Sequence, residues 1–169
     1  MAYIGLDKII EAEREDFVAN LFTGSGYTYT AYHRAFLNQK SNGVIPEIQV
    51  AGTEKYKEVL LDTKVAAHSF FVVRPDIEIV GGGVFRARVD IYFAVNLDTL
   101  YSSTVTERAV EYLHRDVSEQ LKRGRFVLDH LVTGLEAFAD FDLVKGGDNM
   151  EPFYLAKFET EVEYQYNEC

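Results

Sequence analysis

Hydrophobic and polar positions alternate strictly from Val84 to Leu97, the stretch VFRARVDIYFAVNL. Phe85, Ala87, Val89, Ile91, Phe93, Val95 and Leu97 fall on one side, and Arg86, Arg88, Asp90, Tyr92, Ala94 and Asn96 on the other. Period-two alternation predicts a strand with one face on a core and the other toward water or a partner. Alternating strands of this kind belong to antiparallel sheets. At roughly 3.3 Å per residue the run reaches about 45 Å, so it either bends or projects beyond the domain as an arm. A second long alternation closes the chain. Tyr154, Ala156, Phe158, Thr160, Val162, Tyr164 and Tyr166 lie on its predicted core face, and Lys157, Glu159, Glu161, Glu163 and Gln165 on its exposed face.

Two segments carry the helical period instead. Leu6, Ile9, Ile10, Phe17, Val18 and Leu21 form the stripe of a first helix, with its acids toward the N-terminal end and Gly24 just past its end. Ala109, Val110, Leu113, Val117 and Leu121 form the stripe of a second. Thr104 and Glu107 are spaced as a capping box, and Lys122, Arg123 and Gly124 close the helix. From Phe126 to Phe141 the spacing is mostly helical, with Gly134 as an interruption.

The remaining elements are shorter. A short strand is predicted around Tyr27 to Tyr32, followed by an irregular or helical turn, and Ser41-Asn42-Gly43 is a turn signal. Ile45 to Val50 reads as an edge strand because Pro46 cannot donate to a ladder. Lys55 to Leu61 is open between a helical turn and a strand. Ala66 to Val73 is apolar on both faces and predicts a covered strand, which Arg74-Pro75-Asp76 turns into Ile77 to Val80. Gly81, Gly82 and Gly83 then permit a sharp reversal, a bulge or a loop tip. The order is that of an α+β fold: an antiparallel β-sheet with two or three helices packed on one face, in a single domain spanning residues 1–169.

Composition narrows the chemistry. The 169 residues are 47% hydrophobic and 26% charged, as in a globular protein, and no apolar run approaches the ~20 residues of a membrane span. The acidic, amphipathic N-terminus is neither a secretory signal nor a transit peptide, so folding in a cytoplasm is expected. Cys169 is the only cysteine, which excludes an internal disulfide and a thiolate metal cluster. Net charge is −10, and the segment from Glu136 onward contributes −7 of it. Such a surface is unsuited to ordinary nucleic-acid affinity, which needs Lys and Arg, although it lets DNA pass without sticking. Eleven Tyr and twelve Phe with no Trp suit strands and protein interfaces.

No catalytic signature accompanies this pattern. His33, His68, His114 and His130 have no metal-ligand spacing, and His68 reads as a strand histidine with a satisfied hydrogen bond. The glycine triplet lacks the Lys-Ser/Thr of a phosphate loop and precedes a strand, and neither GxSxG nor GxGxxG occurs. No cofactor and no enzymatic activity is expected. Glu159, Glu161 and Glu163 share one strand face about 7 Å apart, a spacing that superficially suits glycoside hydrolysis. Three equivalent exposed acids lack the unequal environments of a catalytic pair. A solvated face that discourages aggregation accounts for them; the sharper alternative is a negative surface facing DNA inside a ring. Arg86 and Arg88 are candidate cross-strand partners of the row if the two strands are neighbours.

The run RARVDIYFAVNLDTLYSSTVTERAVEYLHRDVSEQLKR carries a long strand directly into an amphipathic helix, and FYLAKFETEVEYQY ends the chain in another strand. Over residues 66 to 166 that order resembles the tail terminator and tail-completion (head–tail joining) proteins of tailed bacteriophages. The resemblance is one of pattern and not of a diagnostic motif. It implies a structural virion protein, assembled in the host cytoplasm, that forms a ring at the neck, commonly a hexamer. Such a ring caps the tail tube and joins it to the head connector, and DNA passes through without specific binding. The implied partners are other copies of the chain, the tail tube protein and portal-side proteins, with no membrane. Gly81 to Gly83 and the loop of Gly146 and Gly147 would make intersubunit contacts, and Glu159, Glu161 and Glu163 would line the lumen. Residues 24–65 have no counterpart in the pattern and read as an insertion or arm. Two further readings stand beside this one: a tail tube subunit, and a small α+β ligand-binding or regulatory module with a well-formed pocket.

Overall fold

Seven strands form one sheet in the order β3-β2-β1-β4-β5-β7-β6 in a computed structural model that describes residues 4–23, 28–41, 43–50, 53–102, 104–141 and 152–165. In chain order the elements are α1 (Leu6–Asn20), β1 (Tyr29–Lys40), β2 (Gly43–Gln49), β3 (Tyr56–Glu58), β4 (Ala67–Gly81), β5 (Val84–Asn96), α2 (Leu97–Leu100), α3 (Thr106–Leu121), β6 (Val127–Thr133), a 3-10 turn (Gly134–Phe138) and β7 (Phe153–Gln165). β1 and β4 run parallel; the other neighbouring pairs are antiparallel. This is the expected α+β fold. Gly146 and Gly147 lie outside the described residues.

The predicted central strand is the axis of the sheet. β5 pairs with β7 from Val84↔Gln165 to Asn96↔Phe153, and with β4 from Gly81↔Val84 to Ala67↔Val95. Its core-facing residues Val89, Ile91, Phe93 and Val95 meet the apolar stripes of α1 and α3, including Ile10, Phe17, Leu113 and Val117. The Phe17 ring lies 5.7 Å from both Phe71 and Phe93. The expectation of one wet face fails for half the strand: every residue from Val89 to Val95 is buried. On that outer face Phe70, Tyr92, Ala94 and Leu155 are apolar enough to need a cover, which Ala137, Phe138 and Phe141 supply.

Five local readings are corrected. The stretch Phe126–Phe141 is a strand and a 3-10 turn, not a helix. A register shift between Leu128 and His130 sends Leu128 and Leu131 to the same sheet face, opposite Thr160 and Phe158, so a bulged strand imitates the i, i+3 spacing of a helix. Gly134, at φ 70°, turns the chain out of the strand. Arg74-Pro75-Asp76 is likewise a register irregularity inside a continuous β4 and not a turn. β1 extends to Lys40, well past Tyr32, and β2 is shielded from the sheet edge by β3, whose following residue Val59 donates its N–H to the Pro46 carbonyl at 3.0 Å. Finally, α3 begins after Val105 with no side-chain cap, so the Thr104–Glu107 box is not formed.

Residues 24–65 thus supply three strands to one side of the sheet. The triple glycine makes the β4–β5 reversal, with φ of 118°, 60° and 80°, a conformation that side chains with a Cβ strongly disfavour. Among the described residues no helix is long and apolar enough to cross a membrane.

Candidate functional site

The uncovered part of the outer sheet face collects most of the charged side chains picked out from the sequence. Antiparallel register sets Arg86 opposite Glu163, Arg88 opposite Glu161 and Asp90 opposite Glu159. Arg86 donates to Glu163 at 2.7 Å and lies 3.6 Å from Glu78. Arg88 lies 3.5 Å from Glu161, and Lys157 lies 2.8 Å from Glu159 along the same strand. The hydrogen bond to Glu163, with the carboxylate charge behind it, raises the Arg86 pKa. The three glutamates are therefore zipped to cations rather than bare. Exposed pairs of this kind order a surface more than they stabilise a fold.

A tighter cluster marks where this face meets its cover. Arg74, projected by the β4 irregularity, donates from Nε to Asp90 at 2.6 Å and from Nη2 to Asp140 at 2.5 Å. The Tyr92 hydroxyl accepts from Arg74 at 3.2 Å and donates to Asp140 at 2.9 Å. Burial works against the Arg74 charge, but Asp140 and Asp90 overcome it and raise its pKa. Burial likewise opposes ionisation of Asp140, yet the bonds from Arg74 and Tyr92 leave its pKa lowered. Asp90 is only 4% exposed, so Arg74 is what permits a carboxylate there.

Two shallow grooves run along this face. One, of about 460 Å³, lies over Arg74, Asp76, Asp90, Asp129, Asp140 and Glu159; the other, of about 240 Å³, lies over Asp76, Glu78, Arg86, Arg88 and Glu161. Carboxylates outnumber cations in both. Both open to solvent and have charged walls, unlike the apolar concavity that holds a small molecule. Among the described residues no group of three or more His, Cys, Asp or Glu side chains is placed to hold a metal ion.

The histidines are dispersed. His68 is buried, its Nε2 lies 3.3 Å from the Leu60 carbonyl, and its Nδ1 has no hydrogen-bond partner, so the expected satisfaction is half met. Burial lowers its pKa and keeps it neutral. His114 Nε2 lies 3.0 Å from the Tyr154 hydroxyl, and His33 Nδ1 lies 2.5 Å from Glu11.

Comparison with protein-family models, curated proteins and solved structures finds no match.

Sequence reasoning missed two features. Glu13 hides in the polar positions of α1 yet is 3% exposed, with Oε1 unpartnered and its carboxyl pressed against Gly124. Burial, aided by Asp16, pushes its pKa up to about 7. Its position on the stripe side, four residues before Phe17, was the available signal. The second is the apolar flank of the β4–β5 hairpin, where Ile77, Ile79 and Val80 are exposed, Ile79 to 78%. That β1 accompanies β4 only as far as Val72, leaving this end of β4 without a neighbour on that side, is a tertiary fact.

Proposed function

We propose that this chain is a structural virion protein that forms a ring at the head–tail junction of a tailed bacteriophage, capping the tail tube and joining it to the head connector. The observation that carries the reading is the build of the β4–β5 hairpin. Its base is locked into a core buried on both faces, while beyond Arg74 its β4 side carries Ile77, Ile79 and Val80 in water beside a β5 side that stays packed at Ala87. An exposed apolar flank on a rigid hairpin is a contact surface, not a ligand site. The order of strand, amphipathic helix and closing strand agrees with the resemblance. A face on which carboxylates outnumber cations suits a lumen through which DNA slides without adhering. Glu159, Glu161 and Glu163 lie there with Arg86 and Arg88 among them.

One observation favours a second reading, a tail tube subunit: the stretch expected to be a further helix is β6, which makes the fold richer in strand. Light scattering over a concentration range, followed by electron microscopy of the assembled fraction, tests both. Closed rings of uniform subunit number are expected. Long open tubes would transfer the assignment to the tube subunit, and a strict monomer or a closed dimer would overturn both.

A further inference from the structure

On the helix side of the sheet, a groove of about 350 Å³ runs between α1 and the turn that leads from α3 into β6. Ile9, Ala12, Glu13 and Asp16 line it from the helix, and Arg123, Gly124 and Arg125 from the turn. Glu13 is 3% exposed, and its carboxyl reaches from the helix wall to the turn wall. A Cβ built on Gly124 would collide with Oε2 and lie 3.0 Å from Oε1. The Gly124 backbone is not left-handed, so glycine stands here for the space it leaves and not for its conformation.

The carboxyl in that space lacks a donor. Oε1 is buried with no hydrogen-bond partner, and the amides of the opposite wall are spent on closing α3. Lys122 N–H donates to the Ser118 carbonyl, Arg123 N–H to that of Gln120 and Gly124 N–H to that of Leu121. The Arg125 guanidinium donates to the Glu163 carbonyl at 3.1 Å. Asp16 is the neighbouring charge that acts on Glu13, and it works with burial against ionisation. A buried acceptor left in this way is costly and needs a reason.

We infer that this groove is a binding site for a side-chain-sized cation, a primary ammonium or guanidinium group that donates to Glu13. Such a head supplies both things the carboxyl lacks, a donor and a positive charge. Asp16, three residues further along the same helix face, is a second acceptor lining the groove. Ile9 and Ala12 offer apolar surface to the carbon chain behind the head. An anion drawn to Lys8, Arg123 and Arg125, which also line the groove, would bring acceptors only and would lie beside Asp16. The inference does not rest on the proposed virion function. A free amine and the lysine or arginine of another protein present the same chemistry to this site.

Titration of the full chain with n-butylammonium, followed by NMR at the amides of Ala12, Glu13 and Gly124, tests it. The probe stays protonated from pH 6 to pH 8, while burial pushes the Glu13 pKa up to about 7. A cation binds the carboxylate, so affinity should rise about tenfold from pH 6 to pH 8, as the ionised fraction of Glu13 goes from about one tenth to about nine tenths. Glu13→Gln should bind about tenfold more weakly at pH 8 and lose the pH dependence, and Asp16→Asn should bind about threefold more weakly and keep it. Far-UV circular dichroism checks that both variants are folded. Nα-acetyl-lysine methylamide separates the sources: tighter binding than n-butylammonium identifies a protein side chain, and equal or weaker binding a free amine. No saturable shift with either probe at pH 8, an affinity independent of pH, or a folded Glu13→Gln that binds like the parent would overturn the site. Saturable binding of inorganic phosphate at the same amides, stronger at pH 6 than at pH 8, would overturn it in favour of an anion.

Discussion

The two halves of the β4–β5 hairpin are made of the same two strands and do opposite things. Below the Arg74 irregularity, Phe70, Phe71, Ile91, Tyr92 and Phe93 are buried on both sheet faces, under α1 and α3 on one side and Phe138 and Phe141 on the other. Above it, Ile77, Ile79 and Val80 stand in water, and the opposite face carries Glu78, Arg86 and Arg88. Strand propensity is the same in both halves. What differs is whether another element of the chain arrives to cover them. The lower half holds the fold together, and above it β5 keeps Ala87 buried while β4 leaves its apolar side chains in water. Substitutions should therefore separate stability from assembly according to which half they touch.

The largest effect is expected below. Phe93→Ala removes a fully buried ring that packs on Phe17 and Phe158, and should cost about 3–5 kcal/mol in urea unfolding. A loss under about 1.5 kcal/mol would show that the lower half is not the core.

The boundary between the halves comes next. Arg74→Met leaves Asp90 buried without its cation, and partial solvent access to Arg74 tempers the cost to about 2–3 kcal/mol. Asp90→Asn in the same chain should recover much of that loss, a coupling that a double-mutant cycle reads directly. Additive losses would mean that the two side chains act independently.

A third lever is pH at Glu13. Below its ordinary pKa near 4.5 the carboxyl is protonated whether the chain is folded or not, and contributes no penalty. Between 4.5 and about 7 the unfolded chain releases the proton while the folded one retains it, so stability falls as pH rises, and above 7 the loss is complete. With allowance for solvent screening the drop is about 1–2 kcal/mol, and Glu13→Gln should abolish it. The urea midpoints of parent and variant, compared at pH 5 and pH 8, should converge at the lower pH and separate at the higher, with the variant more stable. Parallel profiles would place the titration elsewhere.

The same contrast explains what was legible in the sequence. β7, α1 and the body of α3 were readable because their apolar periods are long and largely agree with their final burial, and β5 was readable as a strand although its burial on both faces was not. β6 was not, because one bulge converts a period of two into an apparent helical spacing. The Arg74-Pro75-Asp76 irregularity misled for a related reason: proline and its neighbours read as a turn wherever no pairing partner is visible. For the site, the Arg86–Glu163 and Arg88–Glu161 pairing depended on β5 and β7 being neighbours, which alternation suggests but only topology decides. Asp140 meeting Arg74 and Tyr92 across 48 or more positions had no local signal at all.

The smallest expected change in stability is the one that separates the halves most cleanly. Ile79→Ser replaces the most exposed large apolar side chain of the hairpin with a small polar one. It buries nothing within the folded chain, so unfolding should shift by less than about 0.5 kcal/mol. In an assembled ring the same side chain would be removed from water by a neighbouring copy, and its loss should raise the concentration needed for assembly by about tenfold or more, in line with the ~1.5–3 kcal/mol of burying such a side chain. Sedimentation and urea unfolding on one preparation read both quantities. A stability loss comparable to that of Phe93→Ala would mean that the hairpin folds back on its own chain. Unchanged stability with unchanged assembly would mean that Ile79 faces water in every state, and the upper half would need another explanation for its apolar flank.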